Sequence, residues 1–291
     1  MLDFVQQLVS GIALGCVYGL IALGFVLVYK ATEVVNFAQG DLMMLGGFFA
    51  FTFIGILGLN YWIGFAGAIV AMALFGMLAE RVVVRPILGY PQFSIIMATI
   101  GLGFFLRSIA GMIWGTDDLK IETPFSTGVF KLGDLVIAHD KLSVIVATVI
   151  LCGVLYAFFN YTRMGTAMRA TSENMLAAYY MGIPVKRVVS LIWAISAAVA
   201  ACAGVLLAPI TFIHSNVGLV LGLKAFPAAV LGGFGSIPGA LVGGLIIGVI
   251  ESLAGFYLPQ GWKDIAPYIV LLVMLVVRPH GLFGPSMRKK V

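Results

Sequence analysis

Few side chains in this sequence are of the kinds and spacings that perform catalysis. The three histidines form no Ser/His/Asp or metal-ligand pattern with other residues: His139, His214 and His280. The three cysteines lie inside apolar segments with no CxxC spacing, which predicts packing rather than disulfide or metal chemistry: Cys16, Cys152 and Cys202. The sequence also lacks a GxxxxGK[ST] phosphate-binding loop. We therefore expect no enzymatic activity and no metal or cofactor bound by this chain.

Ionisable residues inside long apolar segments are the more informative polar groups, because charge is costly at membrane depth and often functional there. Arg107 and Glu251 lie within such segments, and Asp41 and Lys224 lie near the ends of others. For Arg107 we favour a structural role in which the side chain extends to the membrane interface. For Glu251 we favour hydrogen bonding between helices. These residues form neither an arginine ladder nor a carboxylate relay, which disfavours a selective channel or a self-powered pump.

Two polar, glycine-containing segments resemble each other. Residues 36–48 are NFAQGDLMMLGGF and residues 222–234 are GLKAFPAAVLGGF, and chance is the alternative explanation for their shared ending. Interrupted apolar segments in both halves of a transporter indicate a pathway lined by broken helices. The predicted pathway residues are Asn36, Gln39, Gly40, Asp41, Phe226, Pro227, Gly232, Gly233 and Gly235.

The loop at 161–189 carries a short amphipathic pattern, YTRMGTAMRATSENMLAAYYMGIPVKRVV. Ser172 can cap a helix that begins near Glu173, whose carboxylate suits the positive end of the helix dipole. Gly182 can end that helix. The pattern predicts a helix of two to three turns over 172–183, which either docks a soluble partner or lies on lipid headgroups.

The elements that must position these residues are membrane-spanning helices. The 291 residues are 62% hydrophobic and 10% charged, whereas a soluble domain carries about 25% charged residues. Apolar runs such as 142–161 last about 20 residues, enough to cross a bilayer as a helix. We predict an all-α integral membrane bundle of about nine spans, with eight or ten as alternatives: 5–28, 42–58, 61–79, 93–114, 142–160, 188–208, 218–234, 237–257 and 265–277.

Charge placement predicts the orientation of the chain. The loops near Arg81 and Arg163 and the C-terminus are basic, the last through Arg278, Arg288, Lys289 and Lys290. The 115–141 segment instead contains five acidic residues: Asp117, Asp118, Glu122, Asp134 and Asp140. Because cytoplasmic loops collect Lys and Arg, we expect an external N-terminus, an external loop at 115–141 and a cytoplasmic C-terminus. This distribution argues against nucleic-acid binding, and alternation within 119–136 predicts an external hairpin.

Glycines recur at four-residue spacing within the predicted spans, as in Gly11, Gly15 and Gly19, in Gly239 with Gly243, and in Gly244 with Gly248. Small residues at this spacing let helix backbones approach closely in membranes. The pattern predicts a tightly packed bundle and carries no information about cargo.

Four segments resemble the permease subunits of branched-chain amino-acid ABC importers, of the LivH type. They are VNFAQGDLMMLGGFFA from Val35, RMGTAMRATSENMLAAYYMGIPVKR from Arg163, KAFPAAVLGGFGSIPGALVGGLIIGVIES from Lys224 and RPHGLFG from Arg278. The resemblance implies one permease domain over 1–291 with the ABC importer permease fold, in the bacterial inner membrane. It also implies a second homologous permease, a periplasmic solute-binding protein and two cytoplasmic ATPases that hold ATP and Mg.

The same resemblance gives the 161–189 loop a role in coupling to an ATPase. Ala177, Ala178 and Gly182 match the AA-x3-G part of the importer coupling motif. The usual glutamate before the alanines is replaced by Leu176, and the nearest acid is Glu173. This departure weakens the assignment of Glu173 but leaves that of the loop intact.

The sequence leaves open which solute is transported and which class of transporter this is. Leucine, isoleucine and valine are the cargo by resemblance, while related permeases carry urea, short amides or aromatic acids. A stand-alone secondary transporter or channel is the alternative from another class. An enzyme embedded in the membrane is disfavoured because acids, bases and nucleophiles do not cluster.

Overall fold

A computed structural model describes residues 2–121, 123–125, 128–132 and 135–284, with backbone only at 2, 131–132 and 135–136. This part contains eleven α-helices and one hairpin. The helices are α1 Leu2–Thr32, α2 Gln39–Phe51, α3 Tyr61–Ala79, α4 Gln92–Trp114, α5 His139–Tyr161, α6 Arg163–Glu173, α7 Met175–Tyr180, α8 Val185–Leu207, α9 Val217–Gly232, α10 Ile237–Tyr257 and α11 Trp262–Val277.

Two helices continue beyond their α-helical ends. A π-helical turn, Thr52–Ile56, extends α2. A second π-helical turn, Glu80–Val84, and a 3-10 turn, Arg85–Ile87, extend α3. The predicted basic loop near Arg81 is therefore mostly helical. Residues 77–85 contain no glycine or proline, so the helix continues past the end of α3 until Pro86 limits it.

Each of the nine predicted spans coincides with a helix, which confirms a helical membrane protein. Among the described residues, seven helical segments are long and apolar enough to cross a bilayer: Asp3–Thr32, Gln39–Ile56, Tyr61–Ile87, Gln92–Trp114, His139–Tyr161, Val185–Leu207 and Ile237–Tyr257. The two others, α9 and α11, have 16 residues each. Such a helix is about 24 Å long, less than the roughly 30 Å of hydrocarbon. The predicted count of nine crossings depends on these two helices.

The centre of the bundle is α1 packed against α10 through glycine. A Cβ atom added to Gly248 would collide with the backbone of Gly15, and one added to Gly244 would collide with that of Gly19. The prediction of tight packing from four-residue spacing is therefore confirmed for these pairs. Because the backbones touch at these glycines, there is no room for a side chain at the glycine contacts themselves.

The predicted hairpin is present but lies later in the chain than expected. Strands β1 Val129–Leu132 and β2 Leu135–Ala138 pair antiparallel, with Phe130 opposite Ile137. The predicted hairpin, 119–136, placed its first strand too early because the alternation also runs through Leu119. That residue instead forms a separate bridge to Ile213 beyond α8. Of the acidic residues used for orientation, Glu122 and Asp134 lie outside the described residues, as do Arg288, Lys289 and Lys290 at the C-terminus.

The backbone breaks expected at 36–41 and 225–235 are present in part. Residues 33–38 separate α1 from α2, with a φ of 56° at Glu33, and Gly233 ends α9 with a φ of 95°. Helix α2 nevertheless continues through Gly46 and Gly47, and α9 continues through Pro227. The two LGGF copies thus differ, because the first lies inside a helix and the second ends one. Gly46 serves packing, since an added Cβ would collide with Ala201 of α8.

Candidate translocation and coupling sites

Polar side chains at the α1–α2 break are buried and hydrogen-bonded within the bundle. Asn36 and Gln39 are fully buried. The Asn36 Oδ1 accepts from the Ala38 amide at 3.1 Å, and its Nδ2 donates to Gln39 Oε1 at 3.4 Å. Gln39 reaches α8, where its Nε2 donates to the Ser196 carbonyl at 3.3 Å and its Oε1 accepts from the Ser196 hydroxyl at 3.0 Å. These bonds compensate buried polar groups at the break.

The two predicted pathway segments are brought together by glycine contacts. Gly40 of α2 lies against Gly218 and Gly222 of α9, where an added Cβ would meet the Gly222 Cα at 2.7 Å. Beside this contact, the rings of Phe37 and Phe226 stack with centroids 5.7 Å apart. The structure therefore joins the start of α2 to α9.

The C-terminal end of the second predicted segment, 222–234, contacts α10 and the 280–284 turn rather than α2. Gly232 packs against Gly239 of α10, and Gly233 packs against the 280–284 turn. Pro227 is buried within α9, whereas Gly235 is exposed between α9 and α10. Gly232, Gly233 and Gly235 lie at the corner between α9 and α10. Among the described residues, neither they nor Pro227 form a hydrogen bond with Asn36 or Gln39.

Asp41 and Arg107 form an ion pair between α2 and α4. The Arg107 Nε lies 2.9 Å from Asp41 Oδ1, and both side chains are largely buried. The guanidinium also lies over the Phe104 ring, 4.5 Å from its centroid. The expectation that Arg107 extends to the membrane interface is therefore wrong, because a carboxylate on a neighbouring helix attracts it inward.

Glu251 is the centre of a second buried cluster that joins four helices. Its Oε1 lies 2.8 Å from Lys224 Nζ, and its Oε2 accepts from the Tyr18 hydroxyl at 2.6 Å. Lys224 Nζ also lies 2.6 Å from Asp264 Oδ1, which is exposed. The prediction of hydrogen bonding between helices is confirmed for Glu251, and Lys224 is its partner.

Glu80 is a further buried ionisable residue, which was not among the residues predicted from the sequence. This carboxylate is fully buried and accepts two bonds from Arg85, at 3.0 and 2.8 Å. The Ser190 hydroxyl of α8 donates to the same carboxylate at 2.6 Å. The five-residue spacing of Glu80 and Arg85 on a continuing helix was the available signal. The cluster ties the extension of α3 to the first turns of α8.

The 161–189 loop folds into two short helices rather than one. Ser172 and Glu173 belong to the last turn of α6, so the predicted cap and the favourable dipole position are both wrong. Asn174 caps α7 instead, because its Oδ1 accepts from the Ala177 amide at 2.9 Å. The predicted helix over 172–183 shortens to six residues, Met175–Tyr180.

Gly182 ends α7 as predicted. Its φ is 82°, a conformation that favours glycine. Its amide donates to the Tyr179 carbonyl, and the Ile183 amide donates to the Ala178 carbonyl, both at 3.0 Å. This pair of bonds is the Schellman motif, which fixes the direction in which the chain leaves the helix.

Helix α7 presents an exposed apolar surface, defined here as Leu176, Tyr179, Tyr180 and Met181 and called the α7 patch. These side chains are between 66% and 83% exposed. Of the residues predicted to couple to an ATPase, Glu173 and Ala177 are exposed and Ala178 is buried. Ala178 therefore contacts the chain itself, and the surface available to a partner consists of the α7 patch and Ala177.

A helical bundle with seven bilayer-length apolar segments and buried ion pairs between them defines a multi-pass α-helical membrane protein. The profile of the family described as "Branched-chain amino acid transport system / permease component" matches residues 7–275. The chain belongs to this family of transport permeases.

Individual relatives agree over the full length. The chain is 36% identical over 309 residues to the high-affinity branched-chain amino acid transport system permease protein LivH of Escherichia coli K12, covering 100% of this chain and 98% of the relative. It is 34% identical to the corresponding permease protein BraD of Pseudomonas aeruginosa, covering 99% and 98%. A solved structure, PsaBC from Streptococcus pneumoniae in complex with Fab, matches with a TM-score of 0.51 and 17% identity, covering 96% and 92%. This last similarity concerns the fold alone.

Proposed function

We propose that this chain is the permease subunit of an ATP-binding-cassette importer that moves branched-chain amino acids inward across a bacterial inner membrane. The full-length similarity to LivH and BraD carries the proposal. The complex would contain a second homologous permease, two ATPases and a periplasmic solute-binding protein. The N-terminus would lie outside and the C-terminus in the cytoplasm, as the basic loops favour.

The proposed contact with an ATPase is α7. A rigid, short helix with exposed apolar side chains on a cytoplasmic loop is suited to a groove on a soluble partner. Asn174 and Gly182 fix both ends of the helix, which limits the entropy lost on docking. Ala177, Ala178 and Gly182 match the coupling motif, and Glu173 is the nearest acid to it. Ala178 would position the helix from its buried side.

The proposed translocation route passes the contact between the start of α2 and α9. Asn36, Gln39 and Asp41 are polar and buried here, so substrate access needs a conformational change that separates these helices. In a background without native cysteines, Gln39→Cys should react with a water-soluble thiol reagent during transport and be protected at rest. The control, Ala22→Cys on the fully buried part of α1, should stay protected in both conditions. Protection of Gln39→Cys throughout transport would contradict the route.

The function is tested by transport into vesicles that contain the complete complex. Labelled leucine should accumulate only with ATP and the binding protein, and isoleucine and valine should compete. Competition by urea, a short amide or an aromatic acid instead would reassign the cargo. Uphill accumulation by this chain alone, without an ATPase, would favour a secondary transporter and reject the proposal.

A further inference from the structure

A basic cavity of about 600 Å³ lies where the extension of α3 meets the first turns of α8. Four cations line it, Arg81 and Arg85 from α3 and Lys186 and Arg187 from α8. The remaining lining side chains are a hydroxyl and apolar groups: Ser190, Met77, Met164 and Leu191. We call these eight residues the basic cavity.

The residues that line the basic cavity carry more positive than negative charge. Arg85 is bound to the buried Glu80 and also reaches Ser190, so it holds the two helix ends together. Within the described part of the chain, no ion pair involves Arg81, Lys186 or Arg187. Glu33 and Glu173 line an adjoining cavity with Lys186 and Arg187, whereas Arg81 lines the basic cavity alone. The excess of cations in the basic cavity favours an anionic occupant.

The same helices offer apolar surface that leads away from the basic cavity toward the middle of the membrane. Helix α3 and its extension expose Leu74, Leu78 and Val82 at four-residue spacing beside Arg81. Each of the three side chains is more than half exposed. Apolar surface ending in a cationic pocket matches an acyl chain attached to an anionic headgroup.

We propose that the basic cavity binds an anionic phospholipid, with its phosphate at Arg81, Lys186 and Arg187 and an acyl chain along the exposed side of α3. An acidic segment of a soluble partner would satisfy the charge but would leave the apolar stripe of α3 without a role. This site is independent of the proposed direction, cargo and energy source of transport.

The test measures lipid binding to the purified full-length protein in mixed micelles by native mass spectrometry. Phosphatidylglycerol should bind in preference to phosphatidylcholine. The R81Q/R187Q variant should bind phosphatidylglycerol about 30-fold more weakly, because each of the two cations removed contributes about fivefold to the affinity for an anionic lipid. The control K120Q/R278Q removes the same charge at exposed positions outside the cavity and should bind normally. Inorganic phosphate should not displace the lipid.

Several results would overturn the site. Equal binding of both lipids, or unchanged phosphatidylglycerol binding by R81Q/R187Q, would reject it. Displacement by inorganic phosphate would assign the cavity to a soluble anion. If R81Q/R187Q lost co-purification of the ATPase while its lipid binding stayed intact, the basic cavity would be assigned to a protein partner. If R81Q/R187Q fails to fold, R81K/R187K keeps the charge and should retain the lipid, and its failure to do so would also reject the site.

Discussion

Replacing Lys224 with alanine is expected to destabilise the protein by about 3–5 kcal/mol, because it leaves the buried Glu251 carboxylate without its cation. The Tyr18 hydroxyl still donates to Glu251, but one neutral hydrogen bond does not replace an ion pair at this burial. The loss should appear as a lower free energy of unfolding for the purified protein, measured by denaturant titration in micelles.

Two further variants separate the missing charge from the missing side chain. Asp264→Asn removes the exposed partner of Lys224 and should cost less than about 1 kcal/mol. The double variant Lys224→Met/Glu251→Gln removes both buried charges and should regain much of the stability lost in Lys224→Ala. A Lys224→Ala loss no larger than that of Asp264→Asn would show that the cluster contributes little.

The second large effect is expected at the α7 patch. Leu176→Asp combined with Tyr180→Asp should abolish ATP-dependent uptake and weaken co-purification of the ATPase by at least about 30-fold, since exposed aromatic and leucine anchors are replaced by charge. The permease itself should fold normally, because the two side chains are 66% and 80% exposed. Uptake into vesicles and pull-down of the ATPase measure the two effects.

The matched control places a negative charge in the same loop but away from α7. Thr166 is exposed on α6, and Thr166→Asp should leave ATPase binding and uptake near normal. A charge at Ala178 would be a poorer test, because this buried residue packs inside the chain and its substitution would disturb α7 itself. Normal uptake by the Leu176→Asp/Tyr180→Asp variant would exclude α7 as the coupling element.

Local patterns were sufficient for the features that involve near neighbours or composition. Low charge and long apolar runs predicted the helical membrane class, and every predicted span contains a helix. Gly182 was recognised as a helix end because the requirement for positive φ depends on the residue itself. The cap of α7 was misplaced because Ser172 and Asn174 are both good capping residues, and the end of α6 decided between them.

The sequence by itself determined the class of protein, the positions of its long apolar helices and the glycine-rich faces through which they pack. The tertiary structure decided which charges are partners. Asp41 forms its ion pair with Arg107, and the Tyr18 hydroxyl donates to the Glu251 carboxylate, only after helices distant in the chain are packed side by side. A helical pattern fixes the face that a residue occupies but not the neighbouring helix that covers it. Buried charge pairing therefore followed from the arrangement of the bundle.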